Sequence, residues 1–183
     1  YGDKNLYQYY CMSLAQHGFA VVNFSYRLAP RHKFPAALQD TDAVFHWVMA
    51  HAVDYHFDTR HVFAVGDSAG ANILGLYAAR CADPAAANIP VTPPPGFVPT
   101  ALALNCVTGR YPPCFVMTAN NDFLKEQAPL MTAALERCGV PCVYRCYGDE
   151  TQKLGHVFHC NIRAEAAQNC NTEECGFFKR FME

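Results

Sequence analysis

A serine set between two glycines, Gly66-Asp67-Ser68-Ala69-Gly70, is the run of this chain best suited to chemistry. The G-x-S-x-G pattern is weak alone and gains meaning from its setting. The apolar run Val62–Val65 precedes it and the amphipathic stretch Ala71–Cys81 follows, so a strand, a sharp turn and a helix are expected in that order. Such a turn puts the serine in strained backbone geometry, and the flanking glycines leave space that a Cβ would occupy. Ser68 would then project its hydroxyl from the C-terminal edge of a sheet, with the Ala69 N–H at the helix start facing a developing oxyanion. An ordinary glycine-rich turn or a phosphate cradle is the plainer alternative.

A serine hydroxyl is a poor nucleophile at neutral pH, so it needs a base, and the base needs an orienting acid. Eight histidines compete for the first role. His46, His51, His56 and His61 recur every five residues, a step that turns about 140° around a helix and scatters them as surface residues. His156 and His159 follow an expected strand over Cys142–Tyr147, which puts them in a loop at the sheet edge where open α/β sheets bind ligands. His156 is assigned as general base, with Gly155 supplying a flexible turn before it and His159 as the alternative. For the acid, Asp122 directly follows the expected strand Cys114–Thr118. Asp149 and Glu150 lie nearer His156 in sequence and remain competitors, and Glu126 falls four residues past Asp122 with a possible bond to the same loop.

The elements that must position these groups alternate in type. Apolar runs at Phe19–Phe24, Val62–Val65, Ala101–Leu104, Cys114–Thr118 and Cys142–Tyr147 read as strands. Segments of helical period lie at Asn5–His17, Ala36–Ala50, Ala69–Cys81, Gln127–Cys138 and Glu173–Phe181. This is the pattern of an α/β protein with a mostly parallel, doubly wound sheet flanked by helices. One connection is too short: parallel neighbours need a crossover of about a dozen residues or more, and Asn105–Pro113 supplies nine, with one Gly and two Pro. Residues are therefore expected to be absent between about Cys106 and Tyr111. The Ala- and Pro-rich stretch Ala82–Pro99 reads as a surface loop.

Composition narrows the classes. With 51% hydrophobic and 16% charged residues over a length of 183, the chain reads as a single packed domain over residues 1–183. A net charge of -2 with scattered basic residues argues against nucleic acid as a partner. No apolar run reaches the roughly 18 residues of a membrane span. Ten cysteines occur in a chain long enough to build its own core, several of them within apolar runs, so free thiols and a cytoplasmic location are expected. A zinc site from Cys138, Cys142, Cys146, His159, Cys160, Cys170 and Cys175 lacks any C-x-x-C pair, and neither metal nor cofactor is expected.

Tyr26-Arg27-Leu28-Ala29-Pro30 with Phe34-Pro35-Ala36-Ala37 and Asp40 forms one block of motifs. Gly66–Gly70 with Asn72, Asp122 with Leu124, and Gly155-His156 complete a series over most of the chain. In these residues the sequence resembles the hormone-sensitive-lipase-like branch of the α/β-hydrolases, the bacterial carboxylesterase and acetyl-esterase type, whose triad runs in the order serine, acid, histidine. The resemblance implies Ser68 as nucleophile, Asp122 as acid, His156 as base and the Ala69 amide in the oxyanion hole. Phe123 stands where that family often has Pro. The resemblance also implies an HGG-type oxyanion loop and N-terminal strands ahead of Gly2–Tyr7, and a cap between the strands expected at 101 and 114; both are expected to lie outside this sequence. The activity implied is hydrolysis of short-acyl carboxylic esters through an acyl-enzyme, on a small-molecule ester, with a homodimer possible. An amide-cleaving enzyme of the same fold, or a silent ligand-binding relative, are the alternatives.

Overall fold

The computed structural model describes residues 3–83, 89–95 and 111–182. The sheet expectation holds at two places. Strand β1 (Cys114–Ala119) and strand β2 (Cys142–Tyr147) pair with each other. The Cys114 amide bonds the Pro141 carbonyl and the Asn120 amide bonds that of Tyr147, so the register rises together along both strands and the pair is parallel. The crossover between them is helix α5 (Gln127–Arg137). It ends at Gly139, whose left-handed φ of 68° lets the Gly139 and Val140 amides turn back to the carbonyls of Glu136 and Leu135.

Two strand expectations are corrected. Phe19–Phe24 and Val62–Val65 are irregular among the described residues. An apolar run carries only the propensity; a strand exists when a neighbour supplies the other half of its backbone bonds. The expected strand Ala101–Leu104, the short connection after it and part of the Ala- and Pro-rich loop lie outside the described residues.

The described residues form two compact units. The first gathers Tyr1–Ser25, Phe115–Leu130 and Tyr144–Glu183. Here a 3-10 turn (Lys4–Tyr7) leads into α1 (Gln8–Gln16), which packs on α6 (Glu165–Lys179). Helix α6 starts well before the expected Glu173. Its buried stripe runs through Ala166, Ala167, Cys170, Asn171, Glu174, Cys175, Phe177 and Phe178, and small or polar residues in its first half hide the i, i+4 pattern from a hydrophobicity reading. Phe19 meets Phe178 edge-on at 6.1 Å and Phe115 meets Phe177 at 5.9 Å, closing this core.

The second unit gathers Tyr26–Cys114 and Met131–Val143. Helix α2 (Ala36–Ala50) occupies its expected range, a short α3 (Ala52–Tyr55) follows it, and α4 (Ala69–Ala82) packs on α2. Leu38, Phe45 and Val48 of α2 and Leu74, Tyr77 and Ala78 of α4 are buried, with Phe45 and Tyr77 stacked at 5.1 Å. The Tyr77 hydroxyl donates to Asp42 at 2.8 Å, which satisfies the one polar atom this stack carries inward. Arg27 reaches Asp40 through its Nε at 2.8 Å and its backbone N–H at 2.7 Å, so the two halves of the Tyr26–Asp40 motif block are tied to each other.

Candidate active site

Ser68 lies in the second unit. It immediately precedes α4 with φ 49° and ψ -119°, the positive-φ conformation that strains any residue with a Cβ. The turn is held from both sides: the amides of Gly70 and Ala71 bond the Asp67 carbonyl, and that of Asn72 bonds the Ser68 carbonyl. Ala69 opens the helix, so its amide has no carbonyl to bond within α4. Ser68 and Ala69 are both exposed.

The two glycines differ. A Cβ on Gly66 would sit 2.8 Å from the Gly70 carbonyl carbon and 2.9 Å from Leu74 Cδ1, so glycine is required by close approach of the helix. A Cβ on Gly70 would meet nothing within 4 Å among the described residues, which corrects the expectation that both glycines make room. Burial, and after it the nearby Asp67 carboxylate, raise the phenol pKa of Tyr26, which brings the first motif block into the electrostatics of this turn.

Asp122 and His156 lie in the first unit and are brought together. His156 Nδ1 is 3.0 Å from Asp122 Oδ1 and 2.9 Å from Oδ2, with the side chains 24% and 11% exposed. Asp122 Oδ1 also accepts the Leu124 amide at 2.8 Å, which fixes the carboxylate by its own turn. A proton on Nδ1 donated to Asp122 leaves Nε2 as the basic nitrogen of the ring. The Phe123 ring, 78% exposed, lies 4.6 Å from the imidazole.

The competing residues lie in other surroundings. Asp149 Oδ1 accepts the Thr151 hydroxyl and the Thr151 and Gln152 amides at 2.6, 2.7 and 2.9 Å, and these bonds, the hydroxyl's first, hold its carboxyl below the usual range. It builds the loop before His156. Glu150 and Glu126 are exposed. His159 is 3% exposed, edge-on to Tyr10 at 4.9 Å, with its carbonyl accepting from Asn171 Nδ2, so it is a core residue. Left-handed backbone in this loop occurs at Gly148 (φ 89°) and Val157 (φ 54°), and not at Gly155. Sequence reasoning passed over Asn120, whose side chain bonds the same loop at three points. A polar residue directly after a strand was the only signal for it.

Among the described residues no group of three or more His, Cys, Asp or Glu could hold a metal ion. The described cysteines carry free thiols, with Cys114, Cys170 and Cys175 buried.

Comparison with known proteins now adds to this geometry. A family model described as alpha/beta hydrolase fold matches residues 1–102. A tuliposide A-converting enzyme from Tulipa gesneriana, a chloroplastic protein, is 33% identical over 87 residues, 43% of this chain and 23% of that enzyme. Esterase LipI of Mycobacterium tuberculosis is 41% identical over 63 residues, 34% of this chain and 20% of that protein. The chain thus spans only 20% to 23% of these relatives' own length. Among solved structures, an inhibited esterase B from Lactobacillus rhamnosis superposes with a TM-score of 0.86 at 21% identity, covering 100% of this chain and 73% of that one. The carboxylesterase EstE1 from a metagenomic library superposes with a TM-score of 0.79 at 18% identity, covering 100% and 76%. At these identities the superpositions speak for the fold.

Proposed function

The chain belongs to the α/β-hydrolase fold family, and from that premise we propose that the protein is a serine carboxylesterase acting on short-acyl esters through Ser68, Asp122 and His156. The observation that carries this reading is the Asp122–His156 pair, which commits Nδ1 to the carboxylate and leaves Nε2 basic. The strained Ser68 at the start of α4 and the esterases among the relatives support it.

In this reading His156 Nε2 takes the Ser68 hydroxyl proton as Oγ attacks the ester carbonyl. The Ala69 amide donates to the resulting oxyanion, at the end of a helix whose dipole favours negative charge. The proton passes from His156 to the departing alkoxide, and the acyl group stays on Ser68. A water then loses its proton to His156, attacks the acyl carbon, and the carboxylic acid leaves as Oγ regains a proton. Asp122 remains ionised throughout and stabilises the imidazolium. The steps need no cofactor.

The test is release of p-nitrophenolate from p-nitrophenyl acetate and butyrate, together with labelling of Ser68 by an alkyl phosphonate. We expect turnover by the wild-type chain and loss of both signals in Ser68→Ala. Undiminished turnover in that variant removes the assignment.

Among the described residues no helix is long and apolar enough to cross a membrane. We place the protein in the cytoplasm because its buried thiols act as small hydrophobes. The named relatives include a chloroplastic enzyme, so thiol state carries this placement and kinship does not. Titration of the thiols in freshly lysed cells should find them reduced.

A further inference from the structure

The acid and the histidine come from different loops, and one side chain joins those loops. At the end of β1 the Asn120 amide bonds the Tyr147 carbonyl, the last rung of the strand pair. One residue on, the Asn121 amide bonds the Leu154 carbonyl at 3.0 Å. The Asn120 side chain then spans the gap between these rungs. Its Oδ1 accepts the Leu154 amide at 2.9 Å, and its Nδ2 donates to the carbonyls of Asp149 at 2.7 Å and Gln152 at 3.1 Å. Both donors and an acceptor of the amide are used, and they reach the start, the middle and the end of the 148–155 loop.

The partners of this clamp fit around it. A Cβ on Gly148 would lie 2.5 Å from Asn120 Oδ1 and 2.7 Å from the Gln152 carbonyl oxygen, so the amide occupies the space a side chain at 148 would take. The loop is closed on itself by the Asp149 amide bonding the Gln152 carbonyl. Asp122 comes two residues after Asn120, and His156 two residues after Leu154. The pair therefore meets one step beyond the clamped rungs, where small errors in loop position translate directly into the Nδ1–carboxylate distance.

We propose that Asn120 is a positioning residue that sets the Asp122–His156 geometry by clamping the 148–155 loop. The proposal rests on the reading of these two residues as the acid and base of the hydrolase. Aspartate cannot replace the amide, because it retains the acceptor for Leu154 and turns a second oxygen toward two carbonyl oxygens. Alanine removes all three bonds.

The test uses the full chain as wild type, Asn120→Ala, Asn120→Asp, Asp122→Asn and the Asn120→Ala/Asp122→Asn double variant, each checked for folding by thermal melt. Two readouts are taken: the downfield proton signal of His156 Nδ1–H without substrate, and kcat and KM on p-nitrophenyl butyrate. We expect both Asn120 variants to shift or lose the proton signal as Asp122→Asn does. Their kcat should fall about 10- to 100-fold, the scale of a misplacement near 1 Å, with KM within about threefold. In the Asp122→Asn background, Asn120→Ala should add less than about twofold, because the geometry it serves is already broken. A folded Asn120 variant with an unchanged proton signal and kcat overturns the proposal, as does a loss that adds in full to that of Asp122→Asn. If the wild type hydrolyses no ester, the ester reading falls and the proton signal alone decides the role of Asn120.

Discussion

The turn at Ser68 and the pair Asp122–His156 are built on different principles. Around Ser68 the backbone determinants seen among the described residues lie close in sequence: Gly66 makes way for Gly70 and Leu74, and Asp67 and Ser68 carry the carbonyls that start α4. The pair joins residues 34 apart, and its geometry depends on the loop that Asn120 holds, itself bonded across separations of 29, 32 and 34. Local strain makes the first; long-range hydrogen bonding makes the second. A substitution in the turn should therefore act on folding of one helix end, whereas one near the pair can leave folding intact and disturb only alignment.

The largest expected effects test whether the two regions act together. Asp122→Asn and His156→Ala should each lower kcat on p-nitrophenyl butyrate by roughly 10³- to 10⁴-fold, and neither should lower it further when added to Ser68→Ala. Additive losses would show that turn and pair are not parts of one machine.

Next in size is a contrast inside the unit that holds the pair. Glu174, wholly buried and bonded to the Tyr10 hydroxyl at 2.7 Å, has its carboxyl raised to about 7 by burial, which the Tyr10 bond only partly opposes. A proton retained in the folded state and lost in the unfolded state makes stability greatest below the ordinary carboxyl value near 4.5 and lower as pH rises through about 7. The span corresponds to about 3 kcal/mol. Glu174→Gln should flatten that decline in urea melts between pH 4.5 and 8, and an unchanged slope would assign the pH dependence to other groups. This carboxyl, bonded to Tyr10, should thus govern stability, while Asp122, bonded to His156, should govern rate.

The smaller effects compare the two glycines. Gly66→Ala must push Leu74 or the Gly70 backbone aside and should destabilise by about 1–3 kcal/mol in a denaturant melt, with activity falling alongside. Gly70→Ala has open space and a helical position, so stability should rise by about 0.5–1 kcal/mol. Equal losses at both positions would mean that the turn needs its glycines for some reason other than close approach.

What could be read from the sequence follows the same division. The helix at Ala36–Ala50, the helix opening at Ala69 and the strand at Cys142–Tyr147 are legible because their patterns repeat every few residues. The early start of α6 is hidden, since Ala166, Cys170, Asn171 and Glu174 make a buried stripe from small and polar residues rather than large apolar ones. Phe19–Phe24 shows the opposite failure, an apolar run without strand pairing among the described residues.

By itself the sequence determined the serine turn, the motif block from Tyr26 to Asp40, and the presence of an acidic residue after one strand and a histidine after another. These are matters of local conformation and residue order. Only the tertiary structure decided that Asp122 rather than Asp149 meets the histidine, that His159 belongs to the core, that Gly66 and not Gly70 is sterically required, and that Asn120 ties the two loops. Apart from Gly66, whose neighbours Gly70 and Leu74 are local, those outcomes depend on which atoms arrive close to one another from distant parts of the chain, and hydrogen bonding and close packing at that range carry no periodic mark in the sequence.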